Sequence, residues 1–285
     1  MRIAMASGKG GTGKTTIATA LARIASQRGL ETVYVDCDVE APNGHLLLRP
    51  SIESRHPVAR LIPVVDEQLC DHCGACQSAC QFGAIVCLPA TVQVYANLCK
   101  SCGACVVACP RRAIDERPSV VGRVETGQAG ELGFVQGVLD VGQPRSIPVI
   151  EAAKAAASVD VDLTVLDAPP GASCPVVATI RGADLVLLIA EATPFGLADL
   201  EIAAETVQTL GLAAAVVINR CDVGDRGVSE FCTARGLSVL AEIPNQRAVA
   251  ESYADGDLDG VIKELAGALE ALLDRLLQRH DRRAS

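Results

Sequence analysis

Two kinds of apolar patterning alternate along this chain: short continuous apolar runs, and longer stretches with apolar residues at helical spacing. Ile3 to Ala6 is the first run, and Lys14 to Arg28 is the first helical stretch, with Gly29 placed to cap it. Thr32 to Val35 reads as a strand ending in Asp36-Cys37-Asp38, and Val161 to Leu166 as a buried strand ending in Asp167 before a Pro169-Pro170-Gly171 turn. Beyond it, segments 184–190, 197–210, 213–219, 227–235 and 238–243 alternate strand with helix. That order predicts an α/β fold with a doubly wound, mostly parallel sheet and right-handed crossovers. In such a sheet ligands bind beyond the carboxyl ends of the strands, so Asp36 and Asp38 face the same crevice as the loop after Ala6.

A last helix over residues 258–278 puts Ile262, Leu265, Leu269, Leu272, Leu273 and Leu276 on one stripe. The pattern suits a membrane-surface helix too, but a core-facing helix with Arg275, Arg279, Arg282 and Arg283 at its negative dipole end explains every position. Two regions break the alternation. Residues 61–118 are cysteine-rich, and residues 122–146 carry Gly127, Gly130, Gly133, Gly137 and Gly142, a composition that suits a mobile connection or a partner surface.

Composition narrows the picture. With 49% hydrophobic and 21% charged residues among 285, the chain is a globular one. Its formal net charge of −9 argues against counterion-releasing nucleic-acid binding. No stretch resembles a signal peptide or a run of 18 apolar residues, so a cytoplasmic protein without stable membrane insertion is expected. In that setting 13 cysteines read as metal ligands or redox groups.

The chemistry begins at Gly8-Lys9-Gly10-Gly11-Thr12-Gly13-Lys14-Thr15, a phosphate-binding loop between strand and helix. Its glycines let backbone N–H groups turn inward around phosphates, Lys14 reaches the β/γ oxygens, and the Thr15 hydroxyl can ligate Mg²⁺. The second motif is a repeat. Cys70, Cys73, Cys76 and Cys80 recur as Cys99, Cys102, Cys105 and Cys109, and Cys-Gly-Ala-Cys occupies both 73–76 and 102–105. Zinc ribbons separate two cysteine pairs by a long loop, whereas compact four-cysteine runs suit 4Fe–4S clusters. Gln81 follows Cys80 where Pro110 follows Cys109, and Cys87 lies outside both runs as a buried small apolar residue.

The loop, with its extra Lys9, resembles the deviant Walker A signature of the MinD/ParA/nitrogenase Fe protein class of P-loop ATPases. Residues 35–43 resemble its switch I and 161–171 its Walker B and switch II. The resemblance implies ATP and Mg²⁺, with nucleotide held by Gly8, Gly10, Gly11, Thr12, Gly13, Lys14, Thr15 and Thr16. It implies that Lys9 reaches nucleotide on the partner of a homodimer, and that Lys9, Lys14 and Asp38 are catalytic, Asp38 orienting water. Thr15, Asp36, Asp38 and Asp167 would surround Mg²⁺, while Asn219 and Pro244 meet the base. Cys174 has the offset from Asp167 of a nitrogenase Fe protein ligand, without a second cysteine to match.

Residues 61–118 resemble a bacterial two-cluster ferredoxin, a small α+β domain inserted between 1–60 and 119–285. There the fourth ligand of each cluster comes from the other run. The resemblance thus implies Cys70, Cys73, Cys76 and Cys109 for one 4Fe–4S cluster and Cys80, Cys99, Cys102 and Cys105 for the other. The expected function couples ATP-driven dimer closure to electron transfer or metallocofactor assembly on a redox or metallocofactor-binding partner. A cluster carrier or scaffold for apo-proteins is the alternative, and a spatial organiser is disfavoured by the acidic charge.

Overall fold

The computed structural model describes residues 1–158 and 160–284, without the side chains of 281–284; Arg282 and Arg283 thus lie outside the described side chains. In chain order the elements are β1 (Arg2–Ala6), α1 (Lys14–Gln27), β2 (Thr32–Asp36), α2 (Gly44–Leu48), β3 (Ser51–Val65), α3 (Ala75–Ala79), β4 (Ile85–Leu88), β5 (Thr91–Val94), α4 (Ala104–Ala108), β6 (Ile114–Ala129) and β7 (Leu132–Leu139). They continue with α5 (Ile147–Ala156), β8 (Leu163–Asp167), α6 (Cys174–Ile180), β9 (Leu185–Glu191), α7 (Pro194–Thr209), β10 (Ala214–Asn219), α8 (Gly227–Ala234), β11 (Ser238–Ile243), α9 (Arg247–Ala254) and α10 (Leu258–Ala284).

Nine strands form one sheet in the order β11-β10-β9-β1-β8-β2-β7-β6-β3, parallel from β11 through β7. Strand alternation buries both faces. Ile3 and Met5 pack with α1 and α10, whereas Ala4 and Ala6 pack with α5, α6 and α7 on the opposite face. The stripe on α10 is core-facing as expected: Leu265, Leu269, Leu272, Leu273 and Leu276 are all buried, each contributing roughly 1.5–3 kcal/mol. Among the described residues no helix is long and apolar enough to cross a membrane.

The sheet's other end departs from the parallel pattern. β6 pairs antiparallel with β7, and β3 pairs antiparallel with β6 along a ribbon running from Ser51 opposite Gln128 to Val65 opposite Ile114. The expected junctions at 60/61 and 118/119 therefore fall inside continuous strands. β3 is the sheet's edge strand, the place where Pro57 and Pro63 are tolerated.

Most of the glycine-rich stretch is strand, not a mobile connection. Its glycines permit close approach: a Cβ on Gly127 would stand 2.0 Å from the Ser51 carbonyl oxygen, and one on Gly122 would stand 2.3 Å from that of Val138. Composition suggested freedom because glycine frees an isolated chain, but here it removes the side chain that would separate crowded strands.

The cysteine module sits at the ribbon's far end, with α3, α4 and the β4–β5 hairpin. Its two halves repeat in backbone as well as sequence. His72 and Ser101 have φ of 58° and 54°, and Gly74 and Gly103 have φ of 75° and 70°. The Asp66 N–H donates to Ala113 O at 2.7 Å, and the corresponding Tyr95 N–H to Ala84 O at 2.8 Å.

Candidate nucleotide site and cysteine module

Beyond the carboxyl ends of the central strands lies a cleft of about 340 Å³, lined by residues 9–16 on one wall. Asp38, Pro170, Asn219, Pro244, Gln246 and Tyr253 contribute to the rest. The loop needs glycine locally, since Gly11 and Gly13 adopt φ of 79° and 87°. Asn219 Nδ2 donates to Thr12 O at 2.8 Å, so the end of β10 holds the loop in place. A Cβ on Gly13 would stand 2.5 Å from that amide nitrogen.

Lys14 is buried and its ammonium pairs with Asp167 Oδ1, while Asp167 Oδ2 accepts from the Tyr34 hydroxyl at 2.9 Å. Thr15 Oγ1 lies 3.4 Å from Lys14 Nζ. Asp167 thus reaches the cleft through Lys14. Asp36 also stands back from the cleft walls, its carboxylate accepting from the backbone N–H groups of Asp38 (3.1 Å), Asn43 (3.1 Å) and Gly44 (2.9 Å). It thereby organises the 38–44 loop. Gly8 is likewise away from the cleft, with Asp199 filling the space where a Cβ would go.

Charge is concentrated behind the loop. Burial, then the neighbouring Asp167, pushes the Asp36 carboxyl up to about 7 despite its N–H donors. Burial also raises Asp38, against the pull of Lys14, and raises the Tyr34 hydroxyl and the Cys37 thiol between the two acids. At the mouth, Lys9 Nζ lies 3.0 Å from Glu191 Oε2, and Arg220 bonds the other oxygen of Glu191. Sequence reasoning missed Glu191 and Tyr34. Glu191 ends β9 as Asp36 ends β2, so the strand-end rule that found one acid applied to both.

Three buried oxygens of cleft residues, Thr12 Oγ1, Asn43 Oδ1 and Gln246 Oε1, have no partner among the described residues. They fit a polar ligand with donors and acceptors of its own.

The cysteine module gathers its thiols in two places. One small cavity is lined by Cys70, Cys73, Cys76 and Cys109, the other by Cys80, Cys99, Cys102 and Cys105. Each therefore takes three cysteines from one run and one from the other. Backbone N–H groups point at sulfur in both halves: Ala84 to Cys80 and Ala113 to Cys109 at 3.3 Å each, and Ser101 to Cys99 at 3.4 Å. Such donors favour thiolates, whereas burial pushes the Cys76 and Cys105 thiols up, so loading a metal there releases protons.

Cys87, expected as buried filler, is half-buried and lines the first cavity. Glu67, Cys70 and His72 also bring their ligand atoms within 4.8 Å of one another, a grouping that the four-cysteine pattern did not disclose. Cys174 is exposed at the start of α6.

A glycine loop between a central strand and its helix, with the loop lysine against a strand-end aspartate, defines a P-loop nucleotide-binding protein of the α/β class. The CobQ/CobB/MinD/ParA nucleotide binding domain family matches residues 3–258, and the chain belongs to that family. A protein of Methanocaldococcus jannaschii, described as uncharacterized, is 34% identical over 229 residues, 77% of this chain and 78% of its own. A second uncharacterized protein of the same organism is 26% identical over 275 residues, 93% and 96% of the two chains. Among solved structures, the septum site-determining protein MinD from Pyrococcus horikoshii, complexed with Mg-ADP, superposes with a TM-score of 0.59 at 18% identity, covering 96% of this chain and 95% of its own. The cell division ATPase MinD of Pyrococcus furiosus gives 0.58 at 21% identity, covering 97% and 98%. At such identities the likeness concerns the fold.

Proposed function

We propose that this protein is a homodimeric Mg-ATP-hydrolysing protein whose cysteine module holds two 4Fe–4S clusters, coupling nucleotide-driven closure to electron transfer or metallocofactor assembly on a protein partner. The observation that carries the reading is that one chain joins a phosphate-loop cleft to two four-cysteine cavities through a continuous β ribbon.

At the cleft, Lys14 would exchange Asp167 for the β/γ-phosphates, and Thr15 and Asp167 are the residues that would hold Mg²⁺, which would supply charge neutralisation at the phosphates. Asp38 orients the attacking water, with Asp36 fixing the loop that carries it. Asn219 and Pro244 hold the base, and Lys9 exchanges Glu191 for phosphate on the partner subunit. The Mg-ADP bound in the Pyrococcus horikoshii MinD structure, which shares this fold, supports the choice of an adenine nucleotide.

In the module, each set of four thiolates ligates one cluster, and the Ala84, Ser101 and Ala113 N–H groups steady sulfur charge. When bound, such clusters supply one-electron storage. Anaerobic purification with iron and sulfide counts, followed by EPR with and without Mg-ATP, tests the reading. About eight irons and eight sulfides per chain, and a nucleotide-dependent reduction potential, are expected. About two zincs instead would overturn the redox assignment, and potentials indifferent to Mg-ATP would overturn the coupling.

A further inference from the structure

The two cysteine sets obey one repeat, but the charges around them do not. The turn leading into the first set is acidic: Asp66 Oδ1 accepts from the Gln68 N–H within the turn at 2.9 Å, and Glu67 Oε1 ties it to β5, accepting from the Thr91 hydroxyl and Val92 N–H at 3.0 and 3.1 Å. The equivalent turn before the second set, Tyr95-Ala96-Asn97-Leu98-Cys99, contains no acid.

Its carbonyls meet cations instead. Arg60, on β3 and only 8% exposed, donates Nη1 to Cys99 O at 2.7 Å and Nη2 to Ala96 O at 2.8 Å. Arg145, from the loop between β7 and α5, donates Nη2 to Leu98 O at 2.9 Å. Among the described residues neither guanidinium has a carboxylate oxygen within 4.0 Å. Burial, then the charge of Arg60, pushes Arg145 below its usual range, and the Cys99 thiol acts in the opposite direction.

The cavity walls themselves keep the contrast. Lys100 lines the second cavity, its ammonium 5.7 Å from the centroid of the Phe82 ring, and Glu116 is the carboxylate there. The first cavity is lined by Asp71, His72 and Arg111, with Glu67 Oε2 3.5 Å from His72 Nε2. The second site thus has Arg60, Arg145 and Lys100 against Glu116, whereas the first has Arg111 against Asp71 and Glu67. Two adjacent cations without a carboxylate are costly unless an anion stands near them.

We propose that Arg60 and Arg145 make the second set, Cys80, Cys99, Cys102 and Cys105, the site of higher reduction potential. An electron from an external one-electron donor then rests there, next to the loop between β7 and α5 that carries Arg145. The inference rests on the cluster assignment above. Its physical basis is that one-electron reduction adds one negative charge to the site, and nearby fixed cations lower the energy of that more negative state.

The test is a redox titration, followed by EPR, of the anaerobically loaded full chain and of Arg145→Gln, Arg60→Gln, Arg60→Lys and Arg111→Gln. In Arg145→Gln and Arg60→Gln the higher midpoint should fall by at least tenfold in the reduction equilibrium, 59 mV for one electron, while the lower midpoint stays in place. Arg60→Lys should recover most of the loss, and Arg111→Gln should move only the lower midpoint. Arg145 is half-buried, so its variant keeps the test valid if the buried Arg60 proves necessary for folding. Two unchanged midpoints at full iron, movement of the lower one with Arg145→Gln, or loss of iron from a folded Arg145→Gln protein would each overturn the proposal. Failure of the cluster reading looks different: the unaltered chain would then lack iron and cluster signals altogether.

Discussion

The nucleotide cleft and the cysteine module are assembled in opposite ways. The cleft draws on residues far apart in sequence: Lys14 pairs with Asp167, 153 positions on, and Asn219 bonds Thr12 across 207 positions. In the module, three cysteines of each cavity come from a single seven-residue run, and the fourth from the matching run 29 positions away. The cleft therefore exists only when the parallel sheet is formed, whereas each module half is shaped by local turns at His72 and Gly74 or at Ser101 and Gly103. Long-range assembly suits a site whose parts must move relative to one another, and local assembly suits a site that must keep a rigid geometry.

The largest expected effect separates the two directly. Lys14→Ala leaves Asp167 buried without its cation, which should cost about 3–5 kcal/mol, and it removes the ammonium proposed to bind phosphate. Calorimetry should show the nucleotide domain destabilised and ATP binding lost, with the iron content of the surviving folded protein unchanged. Cys105→Ser is the reciprocal change. On the proposed cluster assignment it should reduce iron from about eight to about four per chain, while the oxidised protein still binds ATP. If either substitution damaged both sites equally, the contrast between them would fail.

A second consequence belongs to the cleft alone. The Asp36 carboxyl is held up at about 7 by burial and by Asp167, against 3.8 when exposed. Between those values the native chain keeps a proton that the unfolded chain has released, so stability falls as pH rises from about 4 to about 7. The integrated loss is on the order of a few kcal/mol. Chemical denaturation across that range should show the decline, and Asp36→Asn should flatten it. An unchanged slope in the variant would assign the effect elsewhere.

How much of this was readable beforehand follows the same division. The phosphate loop, the strand-end acids and the two four-cysteine runs are local patterns, each legible as spacing, whereas the three-plus-one grouping that the two cavities share came from the ferredoxin resemblance. Helix α10 was legible too, because its leucines recur at helical intervals along a stripe that the core then covers. The β3–β6 ribbon was not legible. Its pairing joins Ser51 to Gln128 across the whole module, and the glycines that let the strands approach look, in isolation, like a flexible connection. Asp36 was legible only in part: spacing placed it near the crevice, but only the folded 38–44 loop shows which N–H groups its oxygens receive. Glu191 and the arginines at Cys99 depend on tertiary neighbours that no local pattern records.

The ribbon is the element common to both regions, and it gives a more modest test. Gly127→Ala would press a methyl group toward the Ser51 carbonyl, where backbone rather than a movable side chain must yield. A loss of about 1–3 kcal/mol is expected. Because β6 also pairs with β7, the sheet and the module should melt together in the variant, and independent melting of the module would show that the ribbon does not couple them.

The smallest effect concerns the cleft's mouth. Lys9 is about a third exposed and Glu191 is 10% exposed, so their 3.0 Å ion pair is worth no more than about 1 kcal/mol. In the proposed dimer Lys9 gives up this contact to reach the partner's nucleotide, so the pair works against association. Glu191→Gln keeps a hydrogen-bonding side chain beside Arg220 but removes the charge that holds Lys9. Monomer stability should change by less than 1 kcal/mol, while ATP-dependent association should strengthen by up to about fivefold, the same energy expressed as an equilibrium. Analytical ultracentrifugation with a non-hydrolysable ATP analogue measures it. Weaker association in the variant would mean that Glu191 serves the dimer, and that Lys9 is being delivered rather than restrained.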